Sequence, residues 1–162
     1  MSYIDKLITY YGDPSKDNVI FEHKWMVLCQ LPGSITGQIK NIPAKIYCNK
    51  ELVQPIQDTL LELIKRNLHQ EIKTYNGCFC IRYQRDSSVP SVHSFGLAID
   101  LNAHDDPFGH TTQEDISAGL TPFSDAFVQC WRDMGWVCGR DFGRGRNDDM
   151  HFEWTKKFIQ GL

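Results

Sequence analysis

His93 and Asp100 stand seven positions apart in the stretch Ser91 to Asn102, SVHSFGLAIDLN, across a glycine and inside an otherwise apolar run. A buried aspartate is costly unless something pairs with it. With a strand over residues 98–102, Ala98, Asp100 and Asn102 share one face, and Leu97, Ile99 and Leu101 share the other. The three aliphatic side chains can then enter the core while Asp100 faces a cleft. Gly96 permits a sharp approach, so that His93 can fold back to meet Asp100. A third partner comes from DDMHFEW, Asp148 to Trp154. There Met150, Phe152 and Trp154 form one apolar face of a strand, and His151 and Glu153 the opposite face. Two neutral imidazoles and one carboxylate satisfy zinc and leave a fourth position for water. One Zn2+ ion held by His93, Asp100 and His151 is therefore expected.

Hydrolysis at such a site also needs a base. Asp148, three residues before His151, could reach the same cavity from the turn. Zinc lowers the pKa of its water to about 7, and a neighbouring carboxylate can take the proton and pass it to a leaving amine. Asp149 and Glu153 are rivals for that role. Glu153 shares a face with His151, but two residues along a strand is ~6.6 Å, which also suits orienting a ligand from behind. Arg82, at the end of CFCIRY, is a candidate for binding a substrate carboxylate or carbonyl oxygen. A lone histidine is more often structural, so the weight falls on the combination. His23 and His69 read as surface or satisfied histidines, and His104 and His110 sit in a loop that could flank a cleft.

These residues need elements to position them. A chain of 162 residues suits one domain, residues 1–162, with one core. The order of elements is legible in outline. Ser2 and Asp5 have capping-box spacing ahead of a short helix with Ile4, Leu7, Ile8 and Tyr11 on one side, stopped by Gly12 and Pro14. WMVLCQLP and AKIYCN read as strands. Asn49 caps the clearest helix, about Lys50 to Asn67, whose stripe is Val53, Ile56, Leu60, Leu63, Ile64 and Leu68. EIKTY, CFCIRY and LAIDLN read as further strands, followed by a loop over about Ala103 to Leu120. Thr121-Pro122 starts a helix lined by Phe123, Phe127, Cys130, Trp131 and Met134 and ended by Gly135. WVCGRDF and MHFEW are two final strands joined by the turn GRGRND. The sum is an α+β domain with helices packed on a mostly antiparallel sheet.

Bulk properties exclude several function classes. The net charge of -3 and pI near 6.0 argue against a broad nucleic-acid footprint. Arg140, Arg144 and Arg146 form a local basic patch whose plain interpretation is a solvated loop. The N-terminus lacks the features of a secretory signal, and no run of about 18 apolar residues predicts a membrane span. Synthesis in a cytoplasm, no stable membrane insertion and a monomer are expected. Six cysteines without an export signal read as free, buried thiols. Cys78 and Cys80 form C-x-C, and no second thiol pair has ligand-like spacing.

The pattern S-x-H-x-x-G-x-A-x-D-L-N followed by D-x-M-H-F also resembles a known family. It is that of the zinc D-alanyl-D-alanine carboxypeptidases and L-alanyl-D-glutamate endopeptidases, which includes phage endolysins and vancomycin-resistance dipeptidases. The similarity runs through Asn76 to Asn102, then DMGWVCGRDF and DDMHFEW, and more loosely upstream through LPG and the helix after KIYCNKEL. It implies a catalytic core of about residues 20–157. By this resemblance His93, Asp100 and His151 are the zinc ligands and Asp148 is the general base. Arg82 holds substrate or the developing oxyanion, and Ser91 contacts substrate or the site backbone. The fold implied is a small α+β domain shared with the hedgehog signalling domain. The partner implied is bacterial peptidoglycan, reached by holin release or within a virion, and the favoured bond is L-Ala–D-Glu. A D,D-carboxypeptidase or dipeptidase, and a non-catalytic zinc-bearing binding domain, are the alternatives. One departure stands out: the stretch after Trp136 is VCGRDF, where many relatives have a Trp-Gly-Gly-type turn, which bears on cleft shape.

Overall fold

The computed structural model describes residues 1–143 and 145–159. In chain order the helices and strands are α1 (Tyr3–Tyr11), α2 (Asn18–Trp25), β1 (Met26–Gln30), α3 (Gly33–Thr36), β2 (Lys45–Asn49) and α4 (Val53–Lys65). There follow β3 (Tyr75–Gly77), β4 (Ala98–Leu101), α5 (Thr112–Ser117), α6 (Asp125–Asp133), β5 (Val137–Cys138) and β6 (His151–Glu153). The α+β class holds, but the strands form two antiparallel sheets: a β1–β2 pair and a four-stranded sheet in the order β3-β4-β6-β5. Among the described residues no helix is long and apolar enough to cross a membrane.

Two apolar clusters flank the second sheet. The larger joins the inner faces of α4 and α6 to Ile99 and Leu101 of β4 and Phe152 of β6. The alternation of β4 sends those residues inward and leaves Asp100 facing the cleft. The smaller cluster joins Ile4, Leu7 and Tyr11 of α1 to Phe21 and Trp25 of α2, Phe95, Leu97 and Ala98. Leu97 thus packs in a different cluster from Ile99 and Leu101. The N-terminal helix, capped by Ser2 and Asp5 as its spacing predicts, is built into the wall behind His93.

Several elements differ from the sequence expectations. EIKTY is mostly coil, with Glu71 ending a 3-10 turn over His69–Glu71 and β3 beginning only at Tyr75. CFCIRY is not a strand. Its backbone bonds to the turn that carries His93, through Cys80 N to His93 O and Ser91 N to Arg82 O, instead of to a sheet neighbour. The 103–120 segment contains α5, with a Thr111–Glu114 capping box. The next helix starts after Ser124, not at Thr121-Pro122, because the Ser124 hydroxyl caps Phe127 N. In WVCGRDF only Val137–Cys138 is strand, and Gly139–Asp141 turns away as a 3-10 segment. All six cysteines are free, but Cys80 is exposed.

The turn before β4 is held by the first sheet. Gly96 has φ 65°, and a Cβ there would meet Met26 Sδ at 2.7 Å and the Asn49 backbone nitrogen at 2.8 Å. Asn49, fully buried, donates its Nδ2 to Phe95 O and its backbone N–H to Gly96 O. At the other end of β4, Asn102 sits at φ 55° and accepts from the backbones of Lys73 and Thr74. Gly96→Ala combines left-handed strain with overlap and is expected to destabilise the fold by about 2–4 kcal/mol in denaturant unfolding. A loss below about 0.5 kcal/mol would show that the approach is not tight.

Candidate active site

β4 and β6 pair so that Asp100 lies directly opposite His151. His93 arrives from the turn Val92–Phe95, where the Ser91 hydroxyl accepts from His93 N and Gly96 reverses the chain. The three side chains meet. His93 Nε2 is 3.1 Å from Asp100 Oδ1, His151 Nδ1 is 3.1 Å from the same oxygen, and the two nitrogens are 3.2 Å apart.

The hydrogen atoms of this triangle are spoken for elsewhere. His93 Nδ1 donates to the Cys78 carbonyl at 2.6 Å, and His151 Nε2 donates to Glu153 Oε2 at 2.8 Å. With both imidazoles neutral, the atoms that face one another carry lone pairs only. Two nitrogen lone pairs and a carboxylate oxygen need a positive centre between them. Bonds of about 2.0–2.1 Å in a tetrahedral array put neighbouring ligand atoms ~3.3 Å apart, so this donor set and spacing fit zinc. Glu153 is itself steadied by the Thr155 hydroxyl at 2.8 Å, giving the carboxylate–histidine arrangement that orients metal ligands. The structure thus sets Glu153 behind His151, away from a base's position.

Charge around the site is unevenly compensated. Without a metal, when the histidines can turn a ring proton toward it, burial raises the Asp100 pKa, but hydrogen bonds from His151 and His93 override it and hold the group well below the usual carboxylate range. Burial pulls His151 down, and Asp100 and Glu153 overcome it, lifting it to about 10. Both shifts mark a pocket that attracts positive charge. Asp148 behaves differently: burial pushes it up to about 6, with the Asp100 charge adding to the rise and the two histidines opposing it. Its Oδ1 is buried and meets no hydrogen-bond partner among the described residues. A carboxylate with a pKa near the working pH is suited to proton transfer.

Asp148 is placed by a turn that depends on Gly139. Its backbone N–H bonds to Gly139 O, and a Cβ on Gly139 would overlap the Asp148 carbonyl. Gly139 of the VCGRDF stretch thus supplies the close approach that brings Asp148 over the triangle of His93, Asp100 and His151. A cleft of about 720 Å³ opens here, lined by His93, His151 and Asp148 and also by Ser91, Arg82 and Arg85. The Arg82 head is half-exposed, with Nη2 3.9 Å from Asp100 Oδ2. Asp149 points elsewhere, into an ion pair with Arg140. Of the basic patch, Arg140 is thus largely buried in that pair, Arg146 lines the cleft, and Arg144 lies outside the described residues.

Sequence reasoning missed Ser94, whose hydroxyl accepts from Arg82 N and donates to Arg82 O, so fixing the base of the Arg82 side chain. It also missed the Cys78 carbonyl that sets the His93 tautomer. Backbone partners carry no residue-type signal, and a serine beside a histidine is too common to single out. Glu153→Gln is expected to lower zinc affinity about 10–100-fold while leaving the fold intact, measured by competition with a chelator. Unchanged affinity would remove Glu153 from the support of His151.

Residues 85–154 match the family model described as D-alanyl-D-alanine carboxypeptidase. No curated protein and no solved structure matches the chain. The matched segment contains His93, Asp100, Asp148 and His151. The part of the chain that builds this site is therefore similar to the family described as D-alanyl-D-alanine carboxypeptidase.

Proposed function

We propose that the protein is a zinc metallopeptidase that hydrolyses an amide bond in the stem peptide of bacterial peptidoglycan. The observation that carries this is the convergence of His93 Nε2, Asp100 Oδ1 and His151 Nδ1, all within 3.2 Å, beside Asp148 in one cleft. When bound, zinc supplies a Lewis acid for the scissile carbonyl and lowers the pKa of water. The protein's own groups do the rest. Asp148, ionised above pH 6, accepts the proton of the attacking water and later donates it to the leaving amine. Arg82 extends into the cleft to hold a substrate carboxylate or the developing oxyanion. Ser91 spends its oxygen on His93 N, leaving its hydroxyl proton to offer to substrate.

The bond we assign is L-Ala–D-Glu. The cleft has room for several residues of a peptide, more than a terminal dipeptide needs. Arg82, Arg85 and Arg146 on its lining suit the free carboxylate of D-Glu. The description of the matched family favours a second reading, removal of terminal D-Ala. Mass spectrometry of digested muropeptides separates the two: a new D-Glu amine marks the endopeptidase, and loss of one terminal alanine marks the carboxypeptidase. A chelator should abolish either activity, and zinc should restore it. Zinc-loaded protein that binds walls but cuts neither bond would instead be a binding domain. Recovery of the protein from virions or from the soluble lysate distinguishes a wall-penetration component from a lysis enzyme.

Asp148 carries the most specific test. Asp148→Asn should retain zinc and lower kcat by about 10²–10⁴. The rate of the native enzyme should fall as pH drops through about 6, because the acid form cannot accept a proton. Stability should move the opposite way. The folded chain holds this proton more tightly than the unfolded chain, so ionisation weakens the metal-free fold as pH rises from about 4 to 6. Asp148→Asn removes that cost, and at pH 8 its metal-free unfolding midpoint should rise, by about 2–4 °C per kcal/mol relieved. A variant with near-normal turnover would exclude Asp148 as the base.

A further inference from the structure

A second group of ionisable side chains lies outside the cleft and has no part in the peptidase chemistry. Asp106, Asp115 and Asp149 are 0%, 0% and 1% exposed. One carboxylate oxygen of each lies within 4.8 Å of the others. They arrive from three separate pieces of chain: the loop after β4, the helix α5, and the turn before β6.

Each carboxylate has one oxygen occupied by protein. Phe123 N donates to Asp106 Oδ1 at 3.1 Å, and His110 Nδ1 lies 2.9 Å from Asp115 Oδ1. Arg140 and the Thr112 hydroxyl donate to Asp149 Oδ2 at 2.9 Å and 3.2 Å. The other oxygen of each, Asp106 Oδ2, Asp115 Oδ2 and Asp149 Oδ1, is buried and meets no donor among the described residues. An unsatisfied buried acceptor costs about 1–3 kcal/mol, and more when charged. Three orphan oxygens in one cluster therefore point to a missing positive partner. Arg140 does not fill the role, because its guanidinium also serves Asp125 and the Phe123 carbonyl. His110 is half-exposed and engages only Asp115.

We propose that Asp106, Asp115 and Asp149 bind a second divalent cation, a hard, oxygen-seeking ion of the calcium class, distinct from the ion at His93, Asp100 and His151. The free donors are all carboxylate oxygens, which suit Ca2+ or Mg2+ in preference to zinc. They come from irregular segments, an arrangement that Ca2+ accepts more readily than the near-ideal octahedron Mg2+ demands. Bound there, the ion ties the 103–111 loop and α5 to the turn that carries Asp148, immediately before Asp149, and His151, two residues after it. The pull of burial on Asp106, pushed up to about 7 with the Asp149 charge contributing, fits a cluster short of positive charge. Nothing in this inference depends on which bond, if any, the cleft cuts.

The test uses the full chain, stripped of cations on a chelating resin and reloaded with one equivalent of zinc. Ca2+ and Mg2+ are then titrated separately by calorimetry and by thermal unfolding, with a colour indicator reporting any zinc released. One Ca2+ per chain is expected, with the unfolding midpoint climbing as Ca2+ increases, Mg2+ binding more weakly and zinc remaining bound. Asp106→Asn and Asp115→Asn should each weaken Ca2+ binding at least ten-fold and keep one zinc per chain. Neither residue lies in the cleft, and the wild-type titration decides alone if a variant does not fold. The proposal is overturned by no heat and no midpoint shift up to about 5 mM Ca2+. Zinc displaced mole for mole by Ca2+, or the same Ca2+ response in Asp106→Asn, would overturn it as well. So would metal-free protein that gains stability below pH 7 without responding to Ca2+, since the cluster would then be holding a proton.

Discussion

The antiparallel pairing of β4 with β6 sets Asp100 opposite His151, and the site depends on that register. A slip of one residue would exchange the two faces of the strand, sending Asp100 into the apolar cluster that holds Ile99 and Leu101. The burial of Ile99, Leu101 and Phe152 therefore does more than stabilise the sheet. It holds a carboxylate and an imidazole in contact without either having to search for the other. His93 completes the triangle from outside the sheet, and its position is borrowed from the first sheet through Asn49 and Met26, which grip the turn at Gly96. The three converging side chains thus rest on both apolar clusters, and the N-terminal helix belongs to the support of the site.

Two aspartates in one neighbourhood are driven to opposite protonation behaviour. Asp100 gains hydrogen bonds from both histidines and stays ionised, whereas Asp148 gains burial and almost no donors, so its pKa climbs to about 6. That contrast suits the two roles proposed for them, ligand for Asp100 and base for Asp148, using the same residue type. Asp148 Oδ1, without a donor among the described residues, carries a cost to stability of the kind found where a reactive group is needed, which fits the base proposed for it. Gly139 is part of the same arrangement, since only a residue without Cβ lets the chain pass under the Asp148 carbonyl.

How much of this was legible in the sequence follows from where the information lies. Alternation in LAIDLN and MHFEW carried the inward and outward faces of β4 and β6, because one face is buried and the period is 2. The stripe Ile56, Leu60 and Leu63 carried α4 for the same reason. The motif residues could be singled out, but their meeting could not, because strand pairing across 50 residues leaves no local trace. CFCIRY misled because its apolar residues look like a strand, while its backbone is claimed by the His93 turn. The 103–120 segment misled in the other direction. Its polar composition reads as loop, although the Thr111–Glu114 capping box was there to be seen. Thr121-Pro122 looked like a helix start, but Ser124 offered the cap that the chain used.

Asp148 and Asp149 show how one turn serves two purposes. They are adjacent, yet Asp148 lines the open cleft while Asp149 is buried against Arg140 on the far side. The turn, closed by His151 N donating to Asp148 O, sends the two side chains to different sides, so two like charges sit next to each other in sequence without sharing an environment. The β4 side repeats the pattern, with Asp100 facing the cleft and Asp106, after the left-handed step at Asn102, turned into the acidic cluster. The same two segments therefore carry the carboxylates of the cleft and two of the three in the acidic cluster, Asp115 of α5 being the third. A change in the charge of the cluster would act on the residues that precede His151 and follow Asp100. In the turn before β6, segments of a few residues thus have ends that face different pockets.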